Sequence, residues 1–194
     1  MKNSFIIIAA LLGLILVGSS NSFAVTSTPT PLSAGDPIYM NYDNLSIKGE
    51  VTATGHQDWI ELNSFQWGVG RTISSPTSGS GDRQGSAPSV SEIVVTKVMD
   101  KSSPSLLQQA LAGEGKPVVI DLVKVNNGNL VVYAQYKLEN VLISGYSVSS
   151  GGDRPSESIS LSFTKITFIF NSQNPDGTLA PSQVTYDLAL AKVS

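Results

Sequence analysis

The chain has 194 residues, a formal net charge of −3 at pH 7 and no cysteine. Without cysteine, disulfides, thiolate metal sites and a cysteine nucleophile are excluded. The mild acidity disfavours nucleic acid and anionic membranes as partners.

The first 24 residues have the pattern of a secretory signal peptide. Lys2 is a short basic start, residues 5–17 are an apolar stretch, and Ser22-Phe23-Ala24 is a small-x-small cleavage signal. A transmembrane anchor is the alternative, but the stretch is shorter than the about 20 apolar residues that span a bilayer. We therefore expect cleavage after Ala24, a secreted or periplasmic mature protein, and no stable membrane anchor.

The mature chain is predicted to begin with a flexible leader and to continue as one β domain. Residues 25–36 are rich in Ser, Thr and Pro and too poor in apolar residues to fold alone. Residues 37–194 contain strand-like runs separated by turn signals, such as Asn174-Pro175-Asp176-Gly177. This organisation predicts a mainly antiparallel β architecture. The predicted strands are 38–42, 46–51, 59–69, 92–98, 118–124, 130–138, 139–148, 158–170 and 184–192.

The predicted strand at 59–69 has two unlike faces. Phe65, Trp67 and Val69 alternate with small or uncharged residues. Two aromatics on one face require a packed interior, whereas the opposite face suits a subunit contact or an enclosed lumen. The lumen or interface candidates are Ser64, Gln66 and Gly68.

Residues 71–91 are predicted to form a long extended loop. Ser, Gly and Pro dominate this segment, so it cannot bury a core. Two interpretations remain open: a solvated mobile loop, or a contact segment that becomes ordered on assembly.

One short α-helix is expected from Pro104 onwards. Ser103 is a candidate N-cap before Pro104, and Gly113 or Gly115 can end the helix. Its apolar stripe is expected to plug one open side of a strongly bent sheet. The stripe residues are Leu106, Leu107, Ala110 and Leu111.

The candidate chemical groups favour structural roles. His56 is the sole histidine, so a metal site would need carboxylates such as Asp58 and Glu61, and a hydrogen-bonding turn residue is the favoured interpretation. Glu50 and Asp100 invite a paired-carboxylate interpretation, but an acid before a helix more simply caps backbone N–H groups. We predict no catalytic residue, metal or cofactor.

Arg154 and Glu157 follow the turn signal Gly151-Gly152-Asp153. Two interpretations stay open for them: an ion pair at an interface, or a solvated loop.

Blocks of residues in order along the chain resemble the Hcp family, the tube-forming proteins of bacterial type VI secretion. They run from about residue 37 to the C-terminus, so the resemblance covers nearly the whole mature chain. The signal peptide departs from the family pattern, because typical members begin just before the first strand. The matching residues are Ile47, Gly49, Glu50, His56, Trp59–Glu61, Ser64, Phe65, Trp67 and Gly68; Lys97-Val98-Met99-Asp100-Lys101-Ser102-Ser103-Pro104 and Leu106; Tyr136-Lys137-Leu138 and 141–146; Asp153-Arg154-Pro155, Glu157, Leu161 and Phe163; and Tyr186-Asp187-Leu188.

The resemblance implies a closed β-barrel with a helix on its flank and a non-enzymatic role. It implies a homohexameric ring with a wide channel, stacked rings, small effector proteins chaperoned and carried in the lumen, and a VgrG-type spike protein at the tip. It also implies that the long loop reaches the next ring. The inter-ring loop candidates are Ser78, Gly79, Ser80, Gly81, Asp82 and Arg83.

Two other functions remain open. The signal peptide is compatible with a Sec-exported extracellular Hcp-like protein that acts as a binding module or virulence factor without forming a tube. A small secreted hydrolase is the third class, although the chain has no Gly-x-Ser-x-Gly elbow. A ring predicts a shared oligomer, whereas a binding module predicts a monomer with an exposed patch.

Overall fold

The structure is a computed structural model that describes residues 35–74, 84–126, 128–174 and 176–194. The predicted signal peptide at 1–24 lies outside the described residues, as does the predicted leader up to residue 34.

Antiparallel strands dominate the described residues, with one α-helix among them, as predicted. A short 3-10 turn, Asp43–Leu45, follows the first strand. The strands are β1 (Ile38–Tyr42), β2 (Ile60–Leu62), β3 (Ser64–Gln66), β4 (Val69–Gly70), β5 (Ile73–Ser74), β6 (Gln84–Gly85), β7 (Ser89–Val90), β8 (Ile93–Val98), β9 (Lys116–Asn126), β10 (Asn129–Ser149), β11 (Ser156–Ser162), β12 (Lys165–Gln173), β13 (Leu179–Asp187) and β14 (Lys192–Val193), and the helix is α1 (Ser103–Ala112).

The long strand β10 organises the sheet. Its first half pairs with β9 on one edge and β12 on the other, and its second half pairs with β11. From β10 the order runs outward through β12, β13 and β14, through β11, β8 and β3, and through β9, β1 and β2. The strands therefore curve around a common interior.

The ladder does not close into the predicted complete barrel. β2 and β3 are three-residue strands on either side of Asn63, and they belong to different parts of the sheet. At this corner the Asn63 N–H donates to the Thr96 carbonyl over 2.7 Å. The chain bends at Asn63. A closed barrel would have a continuous ladder of backbone hydrogen bonds at this corner, whereas here Asn63 makes one such bond to β8.

The core lies inside the curved sheet, and alternate residues of the strands supply it. Ile93 and Val95 come from β8, and Ile120 comes from β9, all fully buried. The helix contributes Leu106, which is also fully buried in this cluster. The helix thus packs on the flank of the sheet and closes part of its interior.

The predicted strand at 46–51 is wrong. Only Ile47 makes a β-bridge, to Tyr42. The following backbone pairs with the turn before β2 instead, since Gly49 N–H donates to the Asp58 carbonyl and Val51 N–H to the Trp59 carbonyl. Gly49 lies so close to this turn that a Cβ at its position would overlap Trp59 backbone atoms.

Several predicted strand boundaries also differ. The predicted strands 130–138 and 139–148 are one strand with β-bulges, and Asn140 within it has a φ of 54°. The predicted strand 158–170 is interrupted between β11 and β12, where Thr164 N–H donates to the Glu139 carbonyl. The predicted strand 59–69 bends at Asn63, and the predicted strand 184–192 is replaced by β13 and β14.

The helix begins one residue earlier than predicted. Ser102 rather than Ser103 is the N-cap, so Pro104 is in the first turn, and Gly113 is the C-cap as expected. Leu106 is buried and Ala110 packs against the core, whereas Leu107 and Leu111 are exposed. The predicted stripe is therefore split between two sides of the helix.

None of the helices in the described part of the chain combines the length and apolar character needed to cross a membrane.

Candidate assembly surfaces

The aromatic face of β3, continued by Trp67 directly after the strand, packs against the centre of the sheet. The Phe65 ring lies 4.7 Å and the Trp67 ring 6.0 Å from the ring of Tyr136, which stacks on Phe168 at 4.9 Å. Both residues are half-buried against the core, as the alternation predicts. Val69 does not follow them, since it is 59% exposed. Val69 belongs to the separate pair of β4 and β7, so the chain has left the main sheet by this residue.

The opposite face of β3 carries the lumen or interface candidates. Ser64 Oγ lies 2.6 Å from Thr96 Oγ1, so its hydroxyl is engaged within the sheet. Gln66 and Gly68 are exposed, and Gly68 N–H donates to Ser91 Oγ. Of the three candidates, Gln66 is the one that offers a free-standing polar side chain to a lumen or neighbour.

The predicted long loop is an extended β-hairpin at its base, which we call the arm (residues 69–90). β4 pairs with β7, and β5 pairs with β6. Arg71 Nε donates to the Ser86 carbonyl over 2.8 Å, and Thr72 N–H donates to Ser86 Oγ. The base is thus ordered within one chain. The inter-ring candidates Ser78, Gly79, Ser80, Gly81, Asp82 and Arg83 lie outside the described residues.

A buried ion pair lies beneath the start of α1. Lys97 Nζ lies 2.8 Å from Glu157 Oε2 and 2.7 Å from Asp100 Oδ1, and the side chains of Lys97 and Glu157 are fully buried. Tyr146 Oη donates to Glu157 Oε1 over 2.6 Å. The open alternatives of an Arg154–Glu157 pair or a solvated loop are therefore both wrong for Glu157, because its partner is an internal lysine.

This cluster shifts two pKa values. Burial raises the pKa of Glu157, but hydrogen bonds from Lys97, Tyr146 and Ser103 outweigh it and hold the pKa below the usual value. Burial, together with the Glu157 carboxylate, raises the pKa of the Tyr146 hydroxyl. The sequence analysis did not predict that Lys97 is buried. The signal was its position in the strand, because Lys97 continues the alternation of Ile93 and Val95, which both face the core.

Asp100 accepts a backbone N–H group just before α1, which resembles the predicted capping, although no side chain caps the first turn of the helix itself; Glu50 also accepts a backbone N–H group there. Asp100 Oδ1 accepts from Ser102 N–H at 2.9 Å, and Glu50 Oε1 accepts from Lys101 N–H at 3.1 Å. Arg154 Nη2 lies 3.4 Å from Glu50 Oε2. Both carboxylates line one cleft of about 220 Å³ beside the helix start. These contacts tie the residues around the helix start together.

His56 is a buried hydrogen-bonding residue of the turn before β2. Its Nε2 lies 2.9 Å from Asp121 Oδ2, and its ring packs between Tyr39 and Trp59. Asp58 instead pairs with Lys48 and Lys101 on the surface. Within the described ranges, no three His, Asp or Glu side chains are grouped to hold a metal ion.

Among the exposed apolar side chains of the described chain, two groups each lie on one face of an element or sheet. The first group lies on the core face of β12, β13 and β14 where these strands extend beyond the interior, which we call the wing face. Phe170, Val184 and Val193 lie on it, and Val193 is 63% exposed. Cross-strand partners share a face, and the pairs Phe168–Val184 and Tyr186–Val193 connect these residues to the core face.

The second group lies on the outer side of α1. Pro104, Leu107 and Leu111 are exposed at helical spacing, and we call them the outer stripe. Leu111 is 78% exposed. Sequence reasoning recognised the leucines as apolar helix positions but assigned them to the chain's own core.

Comparison with known proteins identifies the family of this fold. Residues 39–170 match the family described as "Type VI secretion system effector, Hcp". The chain is 31% identical over 100 residues to "Protein hcp1" of Pseudomonas aeruginosa, a match that spans 50% of this chain and 62% of that protein.

Comparison with solved structures gives the same family. A "type six secretion system protein" superposes with a TM-score of 0.73 at 26% identity, covering 82% of this chain and 100% of the other. Hcp1 from Salmonella typhimurium superposes with a TM-score of 0.64 at 22% identity, covering 81% and 98%. The second likeness shows the fold, and the family match extends over most of the β domain. The chain therefore belongs to the Hcp family of type VI secretion.

Proposed function

We propose that this chain is the structural subunit of a homohexameric ring, that rings stack into a tube, and that the tube chaperones and carries small effector proteins. The observation that carries the proposal is the family match over residues 39–170, joined to a fold that covers all of a solved type six secretion system protein. Self-association is consistent with that family. The role is structural rather than enzymatic.

The partners follow from the same proposal. Copies of the chain form the ring, effector proteins occupy the lumen, and a VgrG-type spike protein caps the tube. Exposed and uncharged, Gln66 and Gly68 suit a lumen wall that contacts varied cargo, because a wall without charge does not select cargo by its net charge.

The export route is part of the proposal. Residues 1–24 are removed as a signal peptide, residues 25–36 lead into the fold, and residues 37–194 form the Hcp-like domain. Sec-type translocation moves an unfolded chain, so rings would assemble after translocation, in the periplasm or outside the cell. N-terminal sequencing of exported protein should give Val25 as the first residue. An intact Met1 form in the cytoplasm would reject this route.

Light scattering on the purified mature protein tests the ring. We expect the mass of six subunits at micromolar concentrations. A monomer throughout that range would reject the ring.

A monomer would instead favour the secreted binding module. The signal-peptide pattern at residues 1–24 supports this second candidate, because the tube role does not itself require a leader. Electron microscopy distinguishes the candidates further, since only the first predicts tubes.

A further inference from the structure

We propose that the outer stripe of α1 packs on the wing face of a second copy of this chain, and that this head-to-tail contact is the lateral contact of the ring. The inference rests on the proposed ring and names the surfaces that build it. It concerns Pro104, Leu107 and Leu111 on one copy, and Phe170, Val184 and Val193 on the next.

The helix has apolar residues on two sides. Ser103, Leu106 and Ala110 face the core of their own chain, whereas the outer stripe faces away from it. α1 contains no charged residue, and its exposed polar side chains are those of Ser105 and Gln108. A helix that is apolar on opposite sides is typical of a helix buried on both sides.

The wing face continues the core face of the sheet without a covering layer, and Ser182 is the polar residue opposite Phe170 on it. Ile166 on β12 is buried in the core, and Phe168 and Phe170 follow it on the same face towards the exposed end. Across the strands, Val184 lies opposite Phe168. Sheets with one apolar face require a second layer, and a helix is one of the standard layers.

The two surfaces match in size and chemistry. A helix of ten residues is about 15 Å long, and three strands at about 4.8 Å spacing present a width of roughly 10 Å. Both surfaces remain exposed within one chain, so they do not cover each other there. A second copy supplies to each surface the layer that it lacks.

The pairing of two different surfaces determines which symmetry the assembly can have. A contact between different patches is heterologous, and it propagates from copy to copy until a suitable rotation closes a ring. A self-complementary patch would stop at a dimer. The pairing of a helix stripe with a sheet face is thus the type of contact that a cyclic hexamer needs.

Cysteine cross-linking tests the contact directly, because the chain has no native cysteine. We expect the double variant Leu111→Cys/Val184→Cys to give a ladder of covalent multimers under oxidation. The matched control Leu111→Cys/Val125→Cys should give none, since Val125 is similarly exposed on β9, outside both surfaces. A hexamer that forms without a ladder in the first variant overturns the contact but leaves the ring.

Charge substitutions test whether the contact joins the outer stripe of one copy to the wing face of the next. Leu111→Glu and Val184→Glu should each lose the hexamer and give a folded monomer with the wild-type β circular dichroism spectrum, because both side chains are exposed. An equimolar mixture of the two variants should form a heterodimer through the one intact contact. If both variants remain hexameric, or if the mixture remains monomeric, the head-to-tail contact is wrong. A monomeric wild type would instead reject the proposed ring itself.

Discussion

At the residue scale, Lys97 and Glu157 matter most to the region where the helix meets the sheet. Their side chains are fully buried and 2.8 Å apart, on strands that pair directly. A buried charge is tolerated when its partner and further hydrogen bonds satisfy it. Ser103, Asp100 and Tyr146 supply those hydrogen bonds, so the cluster joins β8, β10, β11 and the start of α1.

Lys97→Met should therefore be strongly destabilising. It leaves Glu157 buried without its cation, a change that costs on the order of 3 to 5 kcal/mol of the free energy of unfolding. Urea denaturation measures the loss. Lys137→Met is the matched control, because Lys137 is exposed and a surface substitution typically changes stability by about 0.5 kcal/mol or less. Equal losses in the two variants would contradict the role of the ion pair.

The Glu157 carboxyl also predicts a pH dependence. Its pKa is lowered in the folded protein, so on acidification the unfolded chain takes up a proton at this carboxyl before the folded chain does. The stabilisation that the ionised Glu157 gives to the folded protein is complete above the pKa of the unfolded chain, about 4.3. It is lost as the pH falls through the lower pKa of Glu157 in the folded protein. Glu157→Gln should flatten the decline in stability below about pH 5. Parallel acid unfolding curves for wild type and variant would exclude this contribution.

The position of Gly49 has no room for a side chain. A Cβ there would overlap the backbone of Trp59 and Ile60, which cannot move without disturbing β2. Gly49→Ala should cost roughly 1 to 3 kcal/mol, the usual range for overpacking. Gly151→Ala is the control, since a Cβ at that position meets no atom within 4 Å. Thermal unfolding compares them, and equal melting temperatures would show that the turn adapts.

At the element scale, β3 separates stability from surface function. Trp67 packs towards Tyr136, whereas Gln66 lies exposed on the opposite face. The strand alternation places neighbouring residues in different surroundings, so adjacent substitutions should have different effects.

Trp67→Ala should cost about 3 kcal/mol, the lower end for large aromatics, because Trp67 is half-buried. Gln66→Ala should leave the melting temperature nearly unchanged and alter cargo retention if its face lines the lumen. Calorimetry and cargo co-purification are the two measurements. Similar destabilisation by both substitutions would show that the two faces are assigned wrongly.

At the scale of the whole molecule, the arm leaves the main sheet next to β3 and β8. Its base is held by short ladders between β4 and β7 and between β5 and β6. A two-stranded hairpin is only marginally stable by itself. An assembled ring stack could supply the contacts that such a hairpin lacks.

Removal of residues 78–82 tests that role and keeps β5 and β6. The chain should still fold, because loop-closure entropy changes slowly with length. The hexamer mass should persist on light scattering, while tubes should disappear from electron micrographs. Normal tubes would place the inter-ring contact elsewhere, and loss of the hexamer would assign the arm to the lateral contact.

Local sequence patterns were sufficient to predict the helices and strands that bury one face against the core. The 38–42 strand, the position of β8 and the helix after residue 102 follow from periodicity and capping residues, because these signals act over a few residues. The 46–51 strand failed, since Gly49 and Val51 bond to the turn at 58–59, a contact that strand propensity does not encode.

Residue patterns along the chain were enough to predict the β class, the alternation around Trp67 and the family. Which charges and leucines are covered depends on contacts between distant parts of the chain. Lys97 is buried because Glu157, 60 residues away, lies opposite it on β11. Leu111 is exposed because the short helix turns just one side, through Leu106, towards the sheet. Periodicity identifies an apolar side chain, but the surface that covers it depends on distant strands or on another molecule.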